Sequence, residues 1–241
     1  MADQSPASLS ASSIWQGIIA VLRPDFGVYL ALVAPFTLLV SMVVTQFGPP
    51  QPTSLADFTP KVAVILLILP SIIGAIGQLA LTWLIATPGG TPGRALAAAG
   101  RTLPGYLLAV LLITPATSLG LLLLVVPGLY LFARMFLVGP LMVIESLGPV
   151  AALRRSWTLT GPVAWKILLF LVLALLFVFG ASVLASGVGA ALGLLLTALG
   201  LKSVGGFVAA LIAAVVSMLF TMASAAAGVE IYRRIGGQTP G

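Results

Sequence analysis

The sequence predicts an all-α, polytopic six-helix transmembrane bundle, and three observations lead there. Only 7% of the residues are charged and mean hydropathy is +1.21, whereas about a quarter of a soluble chain is charged. Several apolar runs reach the roughly twenty residues that a helix needs to cross a bilayer. None of these runs alternates in the manner of a membrane barrel strand, and a helix is the other way to satisfy backbone polar groups in lipid.

The elements follow in chain order. Residues 1–12 are small and polar, lack the basic and apolar regions of a secretory signal, and read as a disordered cytosolic tail. Residues 13–235 read as one membrane domain, with spans at about Phe26–Phe47, Val62–Ala86, Pro104–Val126, Gly128–Ile144, Pro162–Ala185 and Gly206–Ile231. Residues 236–241 form a second cytosolic tail. From Pro104 to Glu145 the only charge is Arg134. That run is divided at Pro127-Gly128, where a missing donor and a flexible residue favour a tight reversal. Gly187–Leu201 is apolar but shorter than a crossing, and is expected to be an interfacial or re-entrant helix.

Charge orients the bundle. With the N-terminus inside, Arg23, Arg94, Arg101, Arg154, Arg155, Arg233 and Arg234 are cytosolic and Lys166 is close by, while the outer loops hold Lys61 and Lys202. Such an excess of basic residues on one side is what the positive-inside rule demands. All four Trp and three of the four Tyr fall at the same cytosolic ends, where amphipathic rings favour the headgroup layer. The expected location is a bacterial inner membrane, with both termini cytosolic.

Three stretches share a pattern, starting at Ser13, Thr91 and Gly148: a short basic segment with helical apolar spacing, a Pro or Gly break, then an aromatic leading a long apolar run. In the first, Ile14, Ile18 and Leu22 form the oily face; in the second, Arg94, Ala97, Ala98 and Arg101 form the watery one. In the third, Val150, Leu153 and Trp157 oppose Arg154, Arg155 and Thr158. Helices of this kind lie in the membrane plane, so the chain is expected to repeat one unit three times: an interfacial helix followed by a transmembrane hairpin.

Composition removes whole classes of chemistry. With no Cys and no His, thiolate and imidazole catalysis and the usual zinc or haem ligands are absent, and no cofactor is expected. The net charge of +6 is not a basic patch interleaved with aromatics, so no nucleic-acid partner is expected. The candidate lipid- or substrate-binding residues are Arg134, Glu145, Arg154, Arg155, Trp157 and Glu230. A charge inside a span is a functional hypothesis by default, although Arg134 could also snorkel to the outer headgroups. Glu145 follows Arg134 by three turns, about 16 Å along the same helix face, and the two could line one polar track. Alternatively, Glu145 pairs with Arg154 or Arg155, and Glu230 with Arg233 or Arg234. One proline falls in each of the first four spans, Pro35, Pro70, Pro115 and Pro140, each freeing a carbonyl one turn back. Small residues at Ala209, Ala213, Ser217, Ser224 and Gly228 suit close packing of the last span.

The segment from Pro127 to Gly161 carries Pro127-Gly128, Tyr130, Arg134, Pro140, Glu145, Gly148-Pro149, Ala152-Leu153, Arg155-Ser156-Trp157 and Leu159-Thr160-Gly161. In these residues it resembles the membrane domain attached to some bacterial glycerophosphoryl diester phosphodiesterases, together with free-standing YciC-like relatives. The resemblance implies a six-helix inner-membrane protein. The phosphodiesterase activity of the fused relatives belongs to a separate soluble domain, and a chain with no His and few carboxylates does not supply that site. The expected function is therefore non-enzymatic: binding or transport of a lipid or other amphipathic molecule, with anionic headgroups of the inner leaflet as partners. The alternative is an accessory subunit that holds a partner protein at the membrane.

Overall fold

A computed structural model describes residues 11–47, 59–200 and 202–236. Among them the chain is helical, in the order α1 (Ala11–Leu22), α2 (Phe26–Phe47), α3 (Pro60–Ala63), α4 (Leu69–Ala86), α5 (Pro92–Leu123), α6 (Val125–Met135), α7 (Val138–Ile144), α8 (Pro149–Thr160), α9 (Ala164–Ala198) and α10 (Lys202–Gly236). Five helical segments are long and apolar enough to cross a membrane, and α1 with α2, bent by 91°, makes a possible sixth. The chain is a multi-pass integral membrane protein of all-α architecture.

Each break has a local cause. Pro24 follows Arg23 at the corner between α1 and α2 and blocks continuation of α1, since a proline disfavours helical geometry in the residue before it. Between α3 and α4, Val64–Ile68 is a turn of π-helix. Pro70 lies just beyond, and the widened turn relieves the collision of its ring with the carbonyl one turn back. The break after α6 places Pro140 within the first turn of α7, where a missing N–H costs no helix bond. Pro35 and Pro115 lie inside uninterrupted helices.

Helix α10 is the hub, packing on α9, α4, α1, α2 and α7. Its buried face carries Met222, Ala225, Ala226, Val229 and Ile231. Gly228 lies so close to Pro140 that a Cβ there would sit 2.7 Å from the proline ring, the close packing that small residues of this span permit. Ala213 and Ser217 border a smaller cleft against α9, and the Ala209 side chain lies outside the described residues. The two ends of the described chain meet: Arg234 donates to Ser13 Oγ at 2.8 Å and to the Ser13 carbonyl at 2.9 Å. Arg233 donates to the carbonyl of Ile85 at 3.0 Å, capping one of the orphan acceptors at the end of α4.

The structure corrects the sequence reading in four places. The reversal between the third and fourth spans is at Leu124, whose extended backbone (φ −159°, ψ 132°) ends α5 and starts α6. Pro127-Gly128 instead lies in the first turns of α6, where proline is tolerated. Gly128 serves the hairpin by close approach, because a Cβ on it would sit 2.5 Å from the backbone nitrogen of Leu121. The second basic segment is not a separate interfacial helix, since α5 runs unbroken from Pro92 through Pro104 to Leu123. Gly187–Leu201 is likewise not separate: α9 continues to Ala198, and Gly200 (φ +78°) makes the turn into α10. At 1.5 Å per residue, the 35-residue α9 and α10 are each about 52 Å long, some 20 Å more than the hydrocarbon core requires. Finally, α8 packs through Ala152, Ser156, Leu159 and Thr160, leaving Val150 and Trp157 exposed. The tails expected at 1–12 and 236–241 lie largely outside the described residues, with α1 beginning at Ala11 and α10 ending at Gly236.

Candidate functional site

Two features stand out: a large apolar cavity and a buried arginine. The cavity, about 1000 Å³, is walled by α1, α4, α5, α6, α7, α9 and α10, at the upper end of the range for small-molecule sites. Its walls include Ile18, Ile113, Phe132, Leu171 and Ala223. Trp15 and Phe177, ring centroids 5.9 Å apart, border it where α1 meets α9. Among the few polar groups, Gln78 Nε2 donates to Ser224 Oγ at 3.2 Å, and Thr117 Oγ1 is buried without a hydrogen-bond partner. A space of this size and polarity suits an acyl chain or another apolar body.

None of the six residues singled out from sequence lines this cavity. The shared face proposed for Arg134 and Glu145 does not exist, because the helix breaks at Phe136–Leu137 and Glu145 ends α7 as its cap. Glu145 accepts from the Tyr232 hydroxyl at 2.9 Å and lies 3.6 Å from Arg155 Nε. Glu230 pairs with Arg234 at 2.7 Å, the arginine that also holds Ser13. Glu145 therefore joins α7 to α8 and α10, whereas the Glu230 pair lies within α10 and reaches α1 only through Arg234. Arg154 is exposed on the outer side of α8.

Arg134 occupies a different environment. It does not snorkel outward: only 7% of it is exposed, and α8 covers it. It stands in the last turn of α6, where a cation favours the helix dipole. Its backbone carbonyl, one of the acceptors orphaned by the end of the helix, accepts from Ser156 Oγ at 2.7 Å and lies 3.2 Å from Thr160 Oγ1. The guanidinium carbon sits 4.1 Å from the centre of the Trp157 ring and 6.0 Å from that of Tyr130. A desolvated contact of the first kind is worth about 2 kcal/mol. Gly161 passes beside it, and a Cβ there would lie 2.9 Å from Arg134 Nη1. Tyr130 in turn packs against Trp165 of α9, ring centroids 5.3 Å apart. Residues scattered from Tyr130 to Gly161 thus converge on one junction.

Sequence reasoning missed Gln78, Ser224 and Thr117. Gln78 had a signal, as the only amide side chain in the run from Val62 to Ala86. Ser224 was read for packing alone, and Thr117 carried no signal before the cavity was seen. Among the described residues no group of three or more acidic, His or Cys side chains could hold a metal.

A family model described as the membrane domain of glycerophosphoryl diester phosphodiesterase matches residues 100–234, more than half of the 241. No curated protein and no solved structure matches the chain.

Proposed function

The chain belongs to the membrane-domain family of glycerophosphoryl diester phosphodiesterase, and from that membership we propose that it is a non-enzymatic inner-membrane protein that binds or moves a lipid or other amphipathic molecule. The observation that carries the reading is the apolar cavity among seven helices, with the Gln78–Ser224 pair in its wall. The contact between Ser13 and Arg234 supports termini on one side of the membrane, and the basic excess near both argues for the cytosol. The exposed Arg154 and the half-exposed Arg155 of α8 face anionic headgroups of the inner leaflet.

Native mass spectrometry of the protein released gently from membranes tests the proposal. The wild type retains lipid. Ala223→Phe and Ile113→Trp, which fill the cavity from α10 and from α5, shed it while keeping thermal stability, since a genuine void accepts added volume without the strain of an overpacked core. Unchanged lipid content in both variants refutes the cavity as the site. A stoichiometric protein partner in place of lipid favours the accessory-subunit reading.

A further inference from the structure

Arg134 is more than nine-tenths buried, yet among the described residues its guanidinium meets no protein acceptor. Its Nε is fully buried without a hydrogen-bond partner. The two carboxylates nearest in chemistry are committed elsewhere, Glu145 to Arg155 and Tyr232, and Glu230 to Arg234. A guanidinium carries five donors in a planar fork and stays charged at any relevant pH. Taking such a group out of water without an acceptor is costly in a membrane protein, and an aromatic face offsets only part of that cost.

The surroundings keep the charge in place without neutralising it. Trp157 covers one face at 4.1 Å. Ser156 and Thr160 hold the backbone carbonyl, and Nε of the side chain is left buried without an acceptor. Gly161 leaves open the volume beside Nη1 that any other residue would fill. Trp157 and Trp165, 43% and 65% exposed, border the junction with the ring type that favours the headgroup layer. Arg134 does not line the apolar cavity.

We propose that the junction of α6, α8 and the start of α9 is an oxyanion site, in which the Arg134 guanidinium, backed by Trp157 and given room by Gly161, grips a phosphate group. Planar, two-point recognition of phosphate is the chemistry for which arginine is suited and lysine is not. The phosphate comes from an anionic lipid headgroup or from free phosphate in solution. The site is distinct from the cavity, and its occupancy does not depend on the cavity holding a lipid.

The test uses the full-length protein in lipid nanodiscs containing phosphatidylcholine and phosphatidylglycerol, with the lipids retained after release compared by native mass spectrometry. A parallel arm adds inorganic phosphate to the delipidated protein in detergent and follows thermal stability. The wild type should prefer phosphatidylglycerol. Arg134→Lys keeps the charge but loses the fork, and Gly161→Ala keeps the arginine but crowds Nη1; each should lower the preference by at least about tenfold, the scale of a lost charge-assisted hydrogen bond. Arg154→Gln, which removes an exposed charge, should lower it by no more than about fivefold. Stabilisation of the wild type by inorganic phosphate alone, lost in both site variants, supports the site and assigns it to free phosphate. Site variants that fall no further than Arg154→Gln, with no phosphate effect, overturn the proposal. The cavity reading is scored by the total lipid retained and this one by the ratio of phosphatidylglycerol to phosphatidylcholine, so failure of one is separable from failure of the other.

Discussion

Replacing Gly128 by alanine tests the α5–α6 hairpin directly. An alanine within a helix ordinarily stabilises it over glycine by roughly 0.5–1 kcal/mol, through the entropy of the unfolded chain. At Gly128 that gain is opposed. The new methyl would sit 2.5 Å from both Leu121 Cγ and the Leu121 backbone nitrogen. The exposed Leu121 side chain can rotate away, but the backbone nitrogen cannot, so the two helices must separate at their closest point. The facing Gly120 is also tight, though less so, its own Cβ falling 3.0 Å from Gly128 Cα. Overpacking of this kind costs about 1–3 kcal/mol, so Gly128→Ala should lie between neutral and a net loss of about 2.5 kcal/mol. Gly100 supplies the control: it lies in the same hairpin's long helix and a Cβ there meets nothing within 4 Å, so Gly100→Ala should gain up to about 1 kcal/mol. Unfolding of the purified protein by increasing SDS in mixed micelles, followed by tryptophan fluorescence, ranks the three proteins. A Gly128→Ala variant as stable as Gly100→Ala would refute the backbone approach and with it the reversal at Leu124.

Tyr232→Phe removes a hydrogen bond to a carboxylate that is only 24% exposed and should cost about 1–2 kcal/mol. Arg155→Gln, whose 3.6 Å ion pair is partly solvated, should cost less than about 1 kcal/mol, and thermal melts that reverse this order would contradict the geometry. Ser156→Ala leaves the Arg134 carbonyl with only the 3.2 Å bond from Thr160 Oγ1 in place of its 2.7 Å donor and should destabilise by about 1 kcal/mol, read by the same SDS titration. Arg234→Ala removes the bonds that this arginine makes to Ser13 and to Glu230. Hydrogen exchange should then rise across Ser12–Leu22 ahead of α4, and unchanged protection across that helix would contradict a holding role for Arg234.

The motif from Pro127 to Gly161 shows how far local signals reach. Its residues were visible in the chain as a cluster, and their meaning was not. Trp157 looked like an interfacial anchor, while in the fold its ring also covers Arg134. Ser156 and Thr160 had no assigned use, yet they meet the carbonyl that α6 leaves unpaired. Gly161 marks only the end of the motif in sequence, and in the fold it is the space beside a guanidinium. Pro127 invited placement of the reversal one turn too late, because a proline tolerated in a first helical turn and a proline in a corner look alike in sequence.

Composition and run length alone determined the solvent, the helical class and the approximate crossings, because in lipid each segment must satisfy its own backbone and be apolar over a fixed length. Tertiary structure decided which helices run on without a break, which partners the carboxylates take, and that the cavity and Arg134 face different sides of α6. Those outcomes depend on contacts between residues far apart in the chain, such as Gln78 with Ser224 or Ser13 with Arg234. Periodicity along one helix carries no record of them, since it specifies a face but not what that face will meet.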